Sequence, residues 1–529
     1  MADWMVRLAH RADARLNLRR TPVPLTPGAP HAVVVGAGLG GLAAAVRLLV
    51  RGYRVTVVDR LDQPGGRARV FREGDYTFDA GPTLITAPFL FEELWALAGE
   101  SLSDHVAVAP IAPFYRIRFD DGGWFDYTGD AEAMRHEVAK FNPADVDGYA
   151  RFLEKSEAIF RVGFEELGHV PFSKAIDMAR IVPAMVALES HRSVYSLVAK
   201  YVRDPRLRVV FSFHPLLVGG NPFSTTSIYA LIAFLERKWG VWYAMGGTGT
   251  LVRGLADLIG RLGGTFRLGE TVAEITIEGE GRRPRATGVQ LATGEAIPAD
   301  LVVSNADAAW TYRNLVAARY RRTWTDARLE RAHYSMSLFV WYFGTARQYP
   351  DVAHHTILLG PRYRGLLKDI FERKKLADDF SLYLHRPTAT DPAMAPAGHD
   401  AFYVLSPVPH LDSGDPWDDA QTERYRDAIE AYLERTVLPG LPRYLTVSRA
   451  LTPRGFHDDY LAVKGAAFSL EPTLRQSAYF RPHNASEDIE GLYLVGAGTH
   501  PGAGMPGVLS SARVLDTVVP DPAALSAAR

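Results

Sequence analysis

The chain contains no cysteine. That excludes disulfides, thiolate metal ligands, cysteine nucleophiles and dithiol redox chemistry, and it accords with a reducing cytoplasm. Neither sign of charge is in excess: 59 Lys and Arg stand against 60 Asp and Glu, a formal net charge of −1. Such a balance gives no overall field for nucleic acid or acidic substrates, so no nucleic-acid partner is expected. Long apolar spans are lacking as well. The longest stretch free of Asp, Glu, Lys and Arg, residues 209–235, is broken by Pro215, Gly219, Gly220 and Pro222. It cannot run as one spanning helix, so any membrane contact is expected to be peripheral. Residues 1–30 hold five arginines and no apolar run, which does not read as a secretory leader. Within them, residues 1–20 read as a frayed extension or a short basic amphipathic helix, and residues 21–30, with four prolines, as an extended linker. No internal repeat or long low-complexity segment is present. What the chain does have is bulk: 529 residues, 47% of them hydrophobic, are enough for two to four domains.

Residues 32–35 form an apolar β run and residues 36–41 a glycine turn. A helical pattern follows over 42–50, then a second β run over 54–58 that closes on Asp59. The turn carries G-x-G-x-x-G at Gly36, Gly38 and Gly41. In this context the first glycine permits the tight turn, the second lets backbone approach a pyrophosphate, and the third lets helix and strand pack closely. The helix N-terminus offers free N–H groups to phosphates, and Asp59 is placed to accept from ribose hydroxyls. Just beyond lies Gln63-Pro64-Gly65-Gly66-Arg67, in which two glycines allow close approach and Arg67 can neutralise a phosphate. Then comes Phe78-Asp79-Ala80-Gly81-Pro82. Near the C-terminal end, residues 492–495 read as a strand, 496–504 as a glycine-rich turn, and a helix starts at about 507. Taken together and in this order, these segments point to FAD rather than NAD. The candidate cofactor-contacting residues are Gly36, Gly38, Gly41, Asp59, Arg60, Gly66 and Arg67; Gly81, Pro82, Thr83 and Val272; and Gly496, Ala497, Gly498, Met505, Pro506 and Gly507. The last segment has the wrong spacing for a second dinucleotide fold, so a tightly held nicotinamide is not expected.

The fold class expected is α/β: a Rossmann-like FAD-binding domain of the two-dinucleotide-binding type, assembled from three chain segments, with a mixed-sheet and helical substrate domain. The boundaries expected are an extension over 1–30, an FAD-binding domain over 31–110, 240–310 and 485–520, and a substrate domain over 111–239 and 311–484. A hairpin is expected over 113–127, mostly helix over 130–240, strands near 265–268, 272–277, 286–291, 301–303, 337–343, 381–384 and 402–405, and a helix near 418–436.

With these motifs and with His214-Pro215-Leu216-Leu217-Val218-Gly219-Gly220-Asn221-Pro222, Glu236-Arg237-Lys238-Trp239-Gly240-Val241-Trp242-Tyr243 and Phe480-Arg481-Pro482-His483-Asn484, the chain resembles the bacterial-type phytoene desaturases of carotenoid biosynthesis, within the amine-oxidase-like flavoproteins. The resemblance spans residues 31–515, with Met505 standing where a smaller aliphatic residue is common. It implies successive dehydrogenation of phytoene and partly desaturated carotenoids towards neurosporene or lycopene. Electrons would pass on to oxygen or a membrane quinone, and the protein would sit peripherally on the cytoplasmic side of a bacterial membrane. An allylic C–H is too weak an acid to be deprotonated first, so the expected route is hydride transfer to flavin N5 followed by proton loss from the adjacent carbon.

For a base, alignment with the family singles out Asp177 with Arg180, one helical turn apart; the competing reading is an exposed i, i+3 ion pair. For an apolar tunnel, the loop residues 219–223 with Phe211, Phe213, Leu216, Leu217 and Tyr229 are preferred. Ile228, Leu231, Ile232 and Leu235, at helical spacing, read as ordinary core. His354-His355 reads as structural rather than as a metal site, since adjacent residues of a strand face opposite sides and no nearby carboxylate completes a set. Residues 180–203 are a candidate membrane-docking surface or buried packing. A saturase or isomerase of carotenoids shares every flavin motif. An amine oxidase is disfavoured by the Gly- and Pro-rich turn at 500–507, and a prenyl-chain chaperone without flavin by the intact cofactor motifs.

Overall fold

The computed structural model describes residues 22–279 and 284–527. The reading of residues 1–20 lies outside the described residues. The proline-rich segment after them runs without regular structure, and Val23 N–H donates to Val50 O at 3.0 Å.

One parallel sheet carries the nucleotide-binding half. Its strand order is Leu492–Leu494, Leu301–Ser304, His31–Val35, Arg54–Asp59, Thr265–Leu268. Strands from the start, middle and end of the chain thus meet side by side, with Val33 opposite Val302 on one edge and Thr56 on the other. His31–Val35 is buried throughout, as a central parallel strand covered on both faces requires. Helix Leu39–Val50 is buried at all twelve positions because helices Thr248–Arg261 and Met505–Val518 pack against it. This helix carries Arg47 in its buried face. The guanidinium pairs with Glu93 and with Asp516, the latter at 2.5 Å, so one charge ties helices Leu39–Val50, Pro88–Leu97 and Met505–Val518 together. A small antiparallel sheet, Val272–Glu278, Arg285–Leu291 and Ala296–Pro298, is appended.

The second half is built on a seven-stranded mixed sheet in the order Leu445–Leu451, Ser337–Thr345, Asp400–Val408, Leu382–His385, His355–Leu358, Tyr115–Arg118, Trp124–Tyr127. All its pairs are antiparallel except His355–Leu358 with Tyr115–Arg118. Helices between 131 and 239 cover one side. The expected hairpin, the strands near 265, 272, 286, 301, 337, 381 and 402, and the helix at 418–436 are all present. Leu445–Leu451 was not expected; it is an edge strand, mostly half-exposed, with little apolar signal. Phe78 and Asp79 end a hairpin, Val70–Glu73 with Tyr76–Asp79, and residues 80–82 continue from it without regular structure.

Candidate active site

A single cavity of about 570 Å³ runs from the edge of the parallel sheet to the face of the mixed sheet. Its nucleotide end is built from glycines. Gly36 holds φ of +97°, and its N–H donates to Val58 O at 2.7 Å. A Cβ at Gly41 would lie 2.0 Å from Gly36 O, so the turn and the helix it opens meet backbone to backbone. Asp59 ties this loop down: one carboxylate oxygen accepts from Ala37 N–H at 2.6 Å, the other from Leu61 N–H at 2.8 Å. Burial raises its pKa above the ordinary aspartate value.

Gly36, Gly38, Asp59, Arg60, Gly66, Arg67, Gly81, Pro82, Thr83 and Val272 all line the cavity, and Gly496, Ala497, Met505, Pro506 and Gly507 join them from the C-terminal segment. Gly41 and Gly498 do not. The first packs against Gly36, and a Cβ on the second would meet Ala308 Cβ at 2.7 Å. Arg60 also donates to Asp459 O at 3.1 Å. Helix Met505–Val518 begins at the cavity wall, with Pro506 in its first turn, so its unpaired N–H groups face inward.

Whether these residues fit a dinucleotide is tested by Arg67. Its Nε is buried without a partner, and it makes no hydrogen bond or ion pair with any described residue. Burial lowers its pKa, with Asp307 partly opposing that. A half-buried cation left unpaired beside a glycine cradle is complementary to an anion such as a pyrophosphate.

The other end of the cavity is apolar. Phe164, Leu167, Phe172, Ile181, Phe213, Leu216 and Leu217 line it from the helical cover, and Met336, Leu338, Val340, Ile357 and Leu405 from the sheet. Here three readings are corrected. Ile228, Leu231, Ile232 and Leu235 line the cavity, whereas the loop 219–223 and Phe211 do not. An apolar helix stripe looks the same whether it faces core or cavity. Asp177 and Arg180 are not in the wall. They lie on helix Ala175–Ala187, Asp177 24% and Arg180 74% exposed, 3.9 Å apart, and Asp177 caps the helix by accepting from Lys174 N–H at 3.2 Å. Within 180–203, Leu197 and Val198 are buried while Val182 and Val186 are exposed.

Two carboxylates within the matching motifs take structural roles. Asp79 accepts from Thr248 N–H at 2.7 Å and so closes the N-terminus of helix Thr248–Arg261 from far along the chain. Burial pushes its pKa up to about 7. Glu236 is fully shielded, accepting from Tyr115 OH at 2.6 Å, with His214 Nε2 at 3.2 Å. His354 and His355 are joined by His385 from the neighbouring strand, a third histidine that the spacing of residues could not reveal.

A glycine-cradled anion site opening into one apolar cavity defines a flavin-dependent oxidoreductase. The family model for flavin containing amine oxidoreductases matches residues 39–514. The neurosporene-forming phytoene desaturase of Rhodobacter capsulatus is 48% identical over 94% of this chain and 95% of its own length. The lycopene-forming phytoene desaturase of Paracoccus sp. is 49% identical over 93% and 98%. An oxidoreductase from Methanosarcina mazei shares the fold at a TM-score of 0.61 and 18% identity, covering 92% of this chain and 99% of its own. Cyclohexylamine oxidase from Brevibacterium oxydans does so at 0.58 and 15%, over 94% and 99%. The chain therefore belongs to the flavin containing amine oxidoreductases and, among them, to the phytoene desaturases, and its cofactor is FAD.

Proposed function

We propose that this enzyme dehydrogenates phytoene and its partly desaturated products towards neurosporene or lycopene. The observation that carries the reading is the cavity: one continuous apolar chamber reaching from the FAD site between helical cover and sheet, suited to a long uncharged chain that offers nothing to hydrogen-bond. Relatives at 48% and 49% identity form neurosporene and lycopene respectively, which supports the substrate and leaves the number of steps to the cavity's length.

FAD supplies the two-electron oxidant. Gly36, Gly38, Gly66 and Arg67 would hold its pyrophosphate and Asp59 its ribose, and the N-terminal N–H groups of Met505–Val518 would face its reducible end and favour developing negative charge there. The apolar wall excludes water and aligns the polyene. The electrons leave to oxygen or a membrane quinone.

The substrate dissolves in a bilayer, and no described helix is long and apolar enough to cross one. Helix Ala175–Ala187 has no buried residue; Ile176, Val182 and Val186 are exposed, and its Ile181 reaches the cavity. We assign it the peripheral contact with the cytoplasmic face of the membrane, through which phytoene enters. The test is expression in cells that accumulate colourless phytoene and cannot desaturate it. Red-shifted carotenoid absorption is expected, and unchanged phytoene beside soluble, FAD-loaded protein would overturn the assignment.

A further inference from the structure

The apolar cavity has a small polar island in its floor. Tyr383 lines the cavity, half-buried. Its hydroxyl lies 2.8 Å from His355 Nδ1 and 3.3 Å from Thr83 Oγ1. Tyr403 donates its proton to Gly81 O at 3.1 Å, so Thr83 donates to Tyr403 at 2.8 Å. In the Nε2–H tautomer of His355, Tyr383 donates to Nδ1, the nearer of its two partners. Nε2 of His355 has no partner. Behind it His354 and His385 stand with their Nε2 atoms 3.1 Å apart, and the three rings bring ligand nitrogens within 4.8 Å of one another. His354 Nδ1 reaches Thr390 Oγ1 at 2.6 Å, and Thr390 is half-buried next to exposed Ala389. Tyr383 and His355 thus form one hydrogen-bonded pair at the cavity, and His385, His354 and Thr390 a second set behind it, with no hydrogen bond among the described residues joining the two.

The groups facing these residues are Tyr115 and Tyr243, whose rings pack on His355 and His354, with Arg386 near His354 and Asp79 near Tyr383. Burial keeps all three imidazoles neutral and the Tyr383 phenol protonated. Asp59, Glu270, Asp307 and Asp459 line the nucleotide end. Glu236 belongs to the wall of the apolar end, but its side chain is shielded and its two oxygens are engaged by Tyr115 and His214.

Resting on the reading of the cavity as a polyene site, we propose that Tyr383 and His355 accept the proton lost in each dehydrogenation. The hydride leaves the allylic carbon with its electron pair, taken by the two-electron oxidant FAD. The C–H bond on the neighbouring carbon of the resulting cation then breaks, and its pair becomes the new C=C bond. That proton goes to the Tyr383 oxygen as Tyr383's own proton passes to His355 Nδ1. A phenol and an imidazole are far too weak to deprotonate a neutral allylic carbon. They suffice for a carbocation, which explains a floor without a carboxylate.

The experiment uses FAD-loaded enzyme with phytoene in phosphatidylcholine liposomes and a quinone acceptor, in H2O and D2O. Wild type is expected to run slower in D2O. Tyr383→Phe and His355→Gln are expected to keep their FAD and lose about 10²-fold or more in product formation, the usual worth of a positioned acid–base group. The residual rate of Tyr383→Phe should no longer respond to D2O. The wild-type solvent isotope effect tests the same step should a variant fail to fold. Wild-type rates in the variants, an undiminished solvent isotope effect, or one equivalent of bound metal per chain occupying the imidazoles would each overturn the proposal. Wild-type enzyme that leaves phytoene untouched would defeat the substrate reading first, and so is distinguishable.

Discussion

A half-buried cation with no ion pair favours the state in which an anion joins it, and Arg67 is so placed. Arg67→Ala is expected to purify with little or no FAD, seen as loss of flavin absorbance after gel filtration; full FAD occupancy would remove Arg67 from the pyrophosphate site. Asp79 carries a pH signature. Its folded pKa, about 7, lies above the ordinary aspartate value of 3.8, so in that window the folded chain holds a proton the unfolded chain has lost. Stability from this group is complete below about pH 4 and declines as pH rises to about 7, by up to ~1.4 kcal/mol per pH unit. Asp79→Asn, still able to accept from Thr248 N–H, should flatten that slope in denaturant titrations at pH 5, 6 and 7. Residues of this kind divided sharply in legibility. Gly36, Gly38, Asp59 and Arg67 were readable because a dinucleotide loop needs them at local spacings. The Tyr383–His355 pair was not, because strand pairing brings the two together across 28 residues, and Thr83, readable as a cofactor contact, meets Tyr383 across 300.

At the scale of elements, helix Leu39–Val50 depends on Arg47, buried and shared between Glu93 and Asp516. Arg47→Ala leaves Glu93 with Arg513 at 3.5 Å alone and should cost about 3–5 kcal/mol in urea unfolding. The pair on helix Ala175–Ala187 is of the opposite kind. With Arg180 74% exposed, Arg180→Ala should shift stability by less than about 1 kcal/mol. The i, i+3 spacing of Asp177 and Arg180 was visible in the sequence, but nothing in that spacing says which way a helix turns. The structure turns this one outward and leaves its apolar side chains uncovered. Val182→Asp combined with Val186→Asp is therefore expected to reduce cosedimentation with phospholipid vesicles while FAD content stays unchanged. Undiminished cosedimentation would move the membrane contact elsewhere. The strand Leu445–Leu451 escaped notice for a related reason, since an edge strand needs only half an apolar pattern.

At the scale of the molecule, two sheets from interleaved chain segments enclose one chamber, and the order of events follows from its two ends. One end is lined by glycines and an unpaired arginine, the other by aliphatic and aromatic side chains, with Glu236 shielded among them by Tyr115 and His214. That arrangement suits two-electron oxidation of a hydrocarbon. The most direct test is a single turnover without oxygen: purified, FAD-loaded enzyme mixed with excess phytoene in liposomes, following the oxidised flavin band and the polyene region together. The account predicts that the flavin band bleaches as absorbance for a longer conjugated system rises, one new double bond per flavin reduced. A flavin that stays oxidised while phytoene remains unchanged, or one that bleaches without any new polyene absorbance, would contradict it.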